Sequence, residues 1–165
     1  MVMLTRVLSG LFLTVSRLFL IAWSGGAALF VISSIAEQRI PELDSMAKDR
    51  LAAIRFPLYY AFGAVCLCTA TVSIGLTIVT TQKGRRKYLV AGFLLCLISA
   101  AVASYDYVAV YSPLLNAITP PGQVRGPDFV LLHEKSALVN EIHISIAFLA
   151  AILISLPDLK SRETT

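Results

Sequence analysis

Charge is scarce in this chain. Only 15% of its 165 residues are Asp, Glu, Lys or Arg, against 57% hydrophobic, where a soluble domain usually carries about 25% charge. The charges are confined to short islands. The stretches between them are long enough to cross a bilayer, which takes roughly 20 residues. A soluble globular fold is excluded on that ground. Cysteine is scarce too: Cys66, Cys68 and Cys96 all fall inside apolar runs, so no disulfide framework is implied. The Walker loop, the dinucleotide-binding glycine fingerprint and the HExxH zinc motif are all missing, which removes the common sequence signs of nucleotide and zinc enzymes. No heptad array, tandem repeat or low-complexity tract is present. The net charge of +4 does not imply a nucleic-acid partner, because the basic residues cluster beside the apolar runs.

What remains is four apolar runs, at about residues 17–35, 56–80, 88–111 and 137–156. They predict an all-α integral membrane four-helix bundle forming one domain over 1–165. Ser34-Ile35-Ala36 resembles a signal-peptide cleavage site, but the apolar run before it exceeds the usual core of about 7–15 residues, so it is expected to stay as a span. The small residues at 24–28 (Ser-Gly-Gly-Ala-Ala) are expected to let a neighbouring helix approach closely.

The polar connection 37–55 contains Asp44 and Ser45, either of which could cap a short surface helix leading to Arg55. Pro57 then suits the first turn of the second span, and Tyr59 and Tyr60 suit an interfacial aromatic belt. Residues 82–87 hold Lys83, Arg85, Arg86 and Lys87 with no acid. In so short a loop this places the segment in the cytoplasm. With four spans both ends are then cytoplasmic, in agreement with Arg6, Lys160 and Arg162, and the connections 36–55 and 113–135 face outward. Pro113 is expected to stop the third span, and Asp128 to cap a fourth helix running to Leu156.

The polar residues of the fourth helix draw most attention. At about 100° per residue, His133, Ser136, Asn140, His143 and Ala147 share one stripe, while Glu134, Glu141 and Ser145 lie on another side. Asn140 and His143 sit one to two turns inside the outer surface, near the level of Asp106 on the third helix and of Tyr59 and Tyr60 on the second. These residues form a candidate ligand-binding layer in the outer leaflet: Tyr59, Tyr60, Asp106, Asn140 and His143, with His133 nearer water and Glu141 off the stripe. Two readings fit: a pocket for a cation, a proton or a small polar ligand, or a hydrogen-bonded lock between helices. Asn140 is expected to bond Tyr59, Tyr60 or Asp106, bringing the second and fourth helices into contact.

Haem fits poorly, because both histidines lie on one helix roughly 15 Å apart and cannot flank one iron. Cys66 and Cys68 point about 200° apart on a helix and cannot chelate together. Neither metal nor cofactor is expected, and a nucleophile with a positioned base is not readable.

Phe56-Pro57-x-Tyr59, with Trp23-x-Gly25, and His133-x-x-Ser136-x-Leu138-x-Asn140, preceded by Phe129, resemble the small four-helix membrane family typified by transmembrane protein 205 of eukaryotes (domain of unknown function 4149). The resemblance covers nearly the whole chain. It implies a four-span multi-pass protein without an established reaction. Links of some members to tolerance of toxic compounds and platinum drugs imply transport or metal handling. The chain departs from the family in Glu141 and in lacking a fourth-helix cysteine, which counts against metal handling.

The expectation is therefore a non-enzymatic multi-pass protein of a bacterial inner (cell) membrane. Its partners are the lipid bilayer and, as an option, further copies of itself. A polar outer-leaflet site would handle a small molecule or ion. The alternative is a membrane enzyme or a redox or cofactor-binding subunit.

Overall fold

The structure, a computed structural model, describes residues 2–81 and 83–156. Gln82 of the basic segment, Lys160 and Arg162 lie outside the described residues. The chain is all-helical: α1 (Val2–Gln38), α2 (Ser45–Thr80), α3 (Lys83–Asp106), a π-helical turn (Tyr107–Tyr111), the short α4 (Ser112–Asn116) and α5 (Phe129–Ser155). α1, α2, α5 and the continuous rod from α3 to α4 are each long and apolar enough to cross a membrane.

An apolar helix must satisfy its hydroxyls internally. Thr14 Oγ1 donates to Gly10 O at 2.9 Å, Ser24 Oγ to Leu20 O at 2.9 Å and Thr77 Oγ1 to Ser73 O at 2.8 Å, so these side chains sit within an apolar rod without needing water.

Two proline expectations are corrected. Asp44 does cap, accepting from Ala47 N–H at 2.7 Å, but it starts no separate surface helix. α2 runs unbroken to Thr80 with Pro57 in its interior. An interior proline costs about 3 kcal/mol. Packing on the residues before it opposes that cost. Arg55 bonds Glu37 and, at 2.9 Å, Ser34 Oγ. Asp49 is buried against Arg125 at 2.9 Å and Gly122 N–H at 3.0 Å. Pro113 likewise does not stop the third helix, which continues through it to Asn116. The π turn just before Pro113 shifts the bonding, so that Ser112 N–H reaches Tyr107 O, and the ring falls in the first turn of α4, where a missing N–H costs little. Asp128 precedes α5 as expected but makes no side-chain cap. Backbone bonds from Phe129 N–H to Gly126 O and from Leu132 N–H to Asp128 O start that helix.

Around the bundle α1 packs along α2 and α5, and α3 along α5 and α2. α2 and α5 thus lie on a diagonal. The expected contact between them is made by side chains at the centre, where Tyr59 O–H of α2 donates to Asn140 Oδ1 of α5 at 2.8 Å. Close approach relies on missing Cβ atoms. A Cβ on Gly92 would fall 2.4 Å from Ile154 Cγ2, and one on Gly26 2.8 Å from the Phe62 ring, whereas Gly25 meets nothing within 4 Å. Within the small-residue patch at 24–28, Gly26 and Ala27 are therefore on the packed side while Gly25 and Ala28 are exposed.

The two ends differ in charge. At the basic end, Arg17 and Arg85 each donate to Ile154 O at 3.0 Å, covering a carbonyl that a helix terminus leaves open. At the loop end, which carries the connections 39–44 and 117–128, the ion pairs Glu37–Arg55 and Asp49–Arg125 nearly cancel.

Candidate functional site

The last residue of α3 is Asp106, which is fully buried. Its Oδ2 accepts from Tyr60 O–H of α2 at 2.5 Å and from Asn140 Nδ2 of α5 at 2.6 Å, and Ser136 Oγ stands at a marginal 3.5 Å. Asn140 Oδ1 accepts from Tyr59 O–H at 2.8 Å and faces His143 Nε2 at 3.1 Å. Three helices therefore contribute to one network, and five sequence-selected residues, Tyr59, Tyr60, Asp106, Asn140 and His143, meet in it.

Local structure explains the convergence. Ser136, Asn140 and His143 follow one another at i, i+4 and i+7 on α5, a single inward stripe. Tyr59 and Tyr60 are adjacent on α2, yet their phenols reach different acceptors, Asn140 and Asp106. Asp106 stands where α3 widens into the π turn, a feature that frequently marks functional sites. Its Oδ1 is buried without a hydrogen-bond partner, as are Tyr111 Oη, His143 Nδ1 and Trp23 Nε1. All hydrogen-bond partners of the carboxylate are neutral groups.

The remaining candidates lie elsewhere. His133 is exposed and stacks on Phe129 with ring centroids 6.2 Å apart. Glu141 is exposed on a different face of α5. Cys66 is buried and Cys68 exposed, and all three cysteines are free. Among the described residues no group of three or more His, Cys, Asp or Glu is placed to hold a metal ion.

Sequence reasoning missed Trp23 as the centre of the bundle. Its ring, 1% exposed, packs against Tyr59 at 5.1 Å and lies parallel to His143 at 5.8 Å. Gly63 makes the space: a Cβ there would fall 2.6 Å from the indole. A lone tryptophan on an apolar helix, with a glycine on another, was the available signal. Tyr111 was also missed. It packs on Tyr60 at 4.7 Å and Phe56 at 5.6 Å, and an aromatic two residues before a proline gave no sign of facing inward.

Two cavities flank the cluster. One, of about 430 Å³, opens between α2 and α3 and is lined by Tyr60, Gly63, Ala64, Tyr107, Trp23 and His143 among others. The other, of about 380 Å³, lies at the loop end and is lined by charged residues including Glu37, Arg55 and Arg125, with Phe56, Tyr111 and His133. Tyr60 lines the first and Tyr111 the second, and the two phenol rings meet in a tilted contact with centroids 4.7 Å apart. No family model, no curated protein and no solved structure matches the chain.

Proposed function

We propose that this chain is a non-enzymatic multi-pass membrane protein whose Asp106 cluster takes up a proton or a small cation. One observation carries the reading. Asp106 is a buried carboxylate with an open oxygen, and its hydrogen-bond partners are all neutral. An ionisable group among apolar helices is costly and normally serves an ion or proton path. A lock between helices needs only amides and hydroxyls. A carboxylate adds either a charge that wants a counter-ion or a proton that can leave.

The basic end, with Lys83, Arg85, Arg86 and Lys87, is proposed to face the cytoplasm, which opens the loop-end cavity outward. A bacterial cell membrane is the proposed location. Membership of the family typified by transmembrane protein 205 is part of the same proposal. In its support, Trp23, Tyr59, Ser136 and Asn140, all residues that carry the resemblance, gather in or beside this cluster.

Infrared difference spectroscopy of membrane-embedded protein tests the reading. A pH step or an added monovalent cation should change a carboxyl signal that disappears in Asp106→Asn. If neither pH nor any of lithium, sodium, potassium or methylammonium perturbs that signal, the cluster is only a lock between helices.

A further inference from the structure

Two residues that line the cavity between α2 and α3, His143 and Trp23, carry polar atoms that the Asp106 network does not use. The orientation of Asn140 is fixed, since its Nδ2 lies 2.6 Å from Asp106 Oδ2 and 2.9 Å from Ser136 O. Turning the amide over would set its oxygen against two acceptors. Asn140 Oδ1 is therefore the atom 3.1 Å from His143 Nε2, so Nε2 must carry a proton. In the neutral imidazole that makes Nδ1 a bare acceptor. His143 Nδ1 is buried and unpartnered, and so is the indole N–H of Trp23, which can only donate. The two rings are stacked, 9° from parallel, and both line the cavity.

Buried polar atoms normally find partners. One acceptor and one donor, each buried on a residue that lines the cavity, match a group that both donates and accepts. A hydroxyl does this. Its proton goes to His143 Nδ1, and its oxygen, or one beside it, takes the Trp23 N–H. The rest of the lining is mainly apolar, with the hydroxyls of Tyr60, Tyr107 and Ser104 as its other polar groups, and contains neither lysine nor arginine. An anionic ligand would have no counter-charge there. Cys68 and Val108, on the same lining, are exposed on the outer face of the bundle, where a lipid-soluble molecule would enter.

We propose that this cavity binds a neutral, lipid-soluble molecule through a hydroxyl group held between His143 and Trp23. The site goes beyond the cation reading: it uses other atoms and a ligand without charge.

Trp23 is the chain's single tryptophan, so its fluorescence reports occupancy directly. Protein in lipid nanodiscs would be titrated with 1-adamantanol and with 1-methoxyadamantane, which keeps the cage and loses the donor. The expected result is a saturable shift of Trp23 emission with the alcohol, at least about tenfold weaker binding of the ether, and loss of the alcohol response in Ala64→Phe, which fills the cavity while leaving both polar atoms in place. In His143→Phe the preference for alcohol over ether should vanish. The preference should be the same with and without lithium, sodium, potassium or methylammonium, which separates this site from the cation proposal. An equal response to alcohol and ether, no response at all, as from a cavity holding only water, or a response that survives Ala64→Phe would overturn the assignment.

Discussion

Asn140 Nδ2 lies 2.6 Å from Asp106 Oδ2, and this contact between α5 and α3 sets the direction of every other hydrogen bond in the cluster. With the amide nitrogen committed, its oxygen accepts from Tyr59 and faces His143. Replacing Asn140 by Leu would strand the Tyr59 hydroxyl and the Nε2–H and deprive Asp106 of a donor. An unsatisfied buried group costs about 1–3 kcal/mol. The expected loss is on the order of 3 kcal/mol, read as a lower midpoint of thermal unfolding in detergent. His133→Ala, on an exposed face, should leave that midpoint within about 0.5 kcal/mol of the parent. Equal effects from the two would show that the network does not hold the helices.

Tyr60→Phe removes the shortest bond to the Asp106 carboxylate. A hydrogen bond to a charged group is worth about 1.5–3 kcal/mol, so the variant should lose stability in that range. The carboxyl infrared signal of Asp106 should move, since a donor has gone. An unmoved signal would mean that Tyr60 and Asp106 do not bond.

Glycine substitutions separate packing from exposure. A Cβ at Gly63 would sit 2.6 Å from the Trp23 ring, which is buried and cannot yield cheaply, while a Cβ at Gly25 meets nothing within 4 Å. Gly63→Ala should destabilise by about 1–3 kcal/mol and shift Trp23 fluorescence. Gly25→Ala should be neutral or stabilising by about 0.5–1 kcal/mol, because glycine inside a helix is costly.

Replacing both Cys66 and Cys68 by alanine should leave the protein folded and abundant. Cys68 is exposed, and Cys66 fills a buried site as a small apolar side chain. Normal accumulation with complete loss of the Asp106-dependent signal would revive a metal role for this pair.

Orientation can be tested in intact cells. In a background without the three native cysteines, Arg86→Cys at the basic end should resist an impermeant thiol reagent. Val124→Cys, in the loop-end connection and 97% exposed, should label readily. The reverse pattern would invert the proposed topology.

By itself the sequence determined that the chain is helical and built from four long apolar segments, because so little charge leaves apolar runs that can satisfy backbone polar groups only by intrahelical bonding. It also placed Asn140, His143, Asp106, Tyr59 and Tyr60 at one level, since position along a helix is proportional to residue number. Helix ends were less legible. Pro57 and Pro113 are strong local breakers, and whether a helix continues through them depends on partners distant in sequence, such as Arg125 against Asp49. Only the tertiary structure decided that α2 and α5 lie on a diagonal and that Trp23 occupies the centre, whereas helix periodicity already set Glu141 off the stripe and His133 nearer water. Residue number fixes height and face along one helix. It carries no information on the order in which helices surround the core, which is set by where glycine lets a large ring in and which polar atoms can be satisfied together.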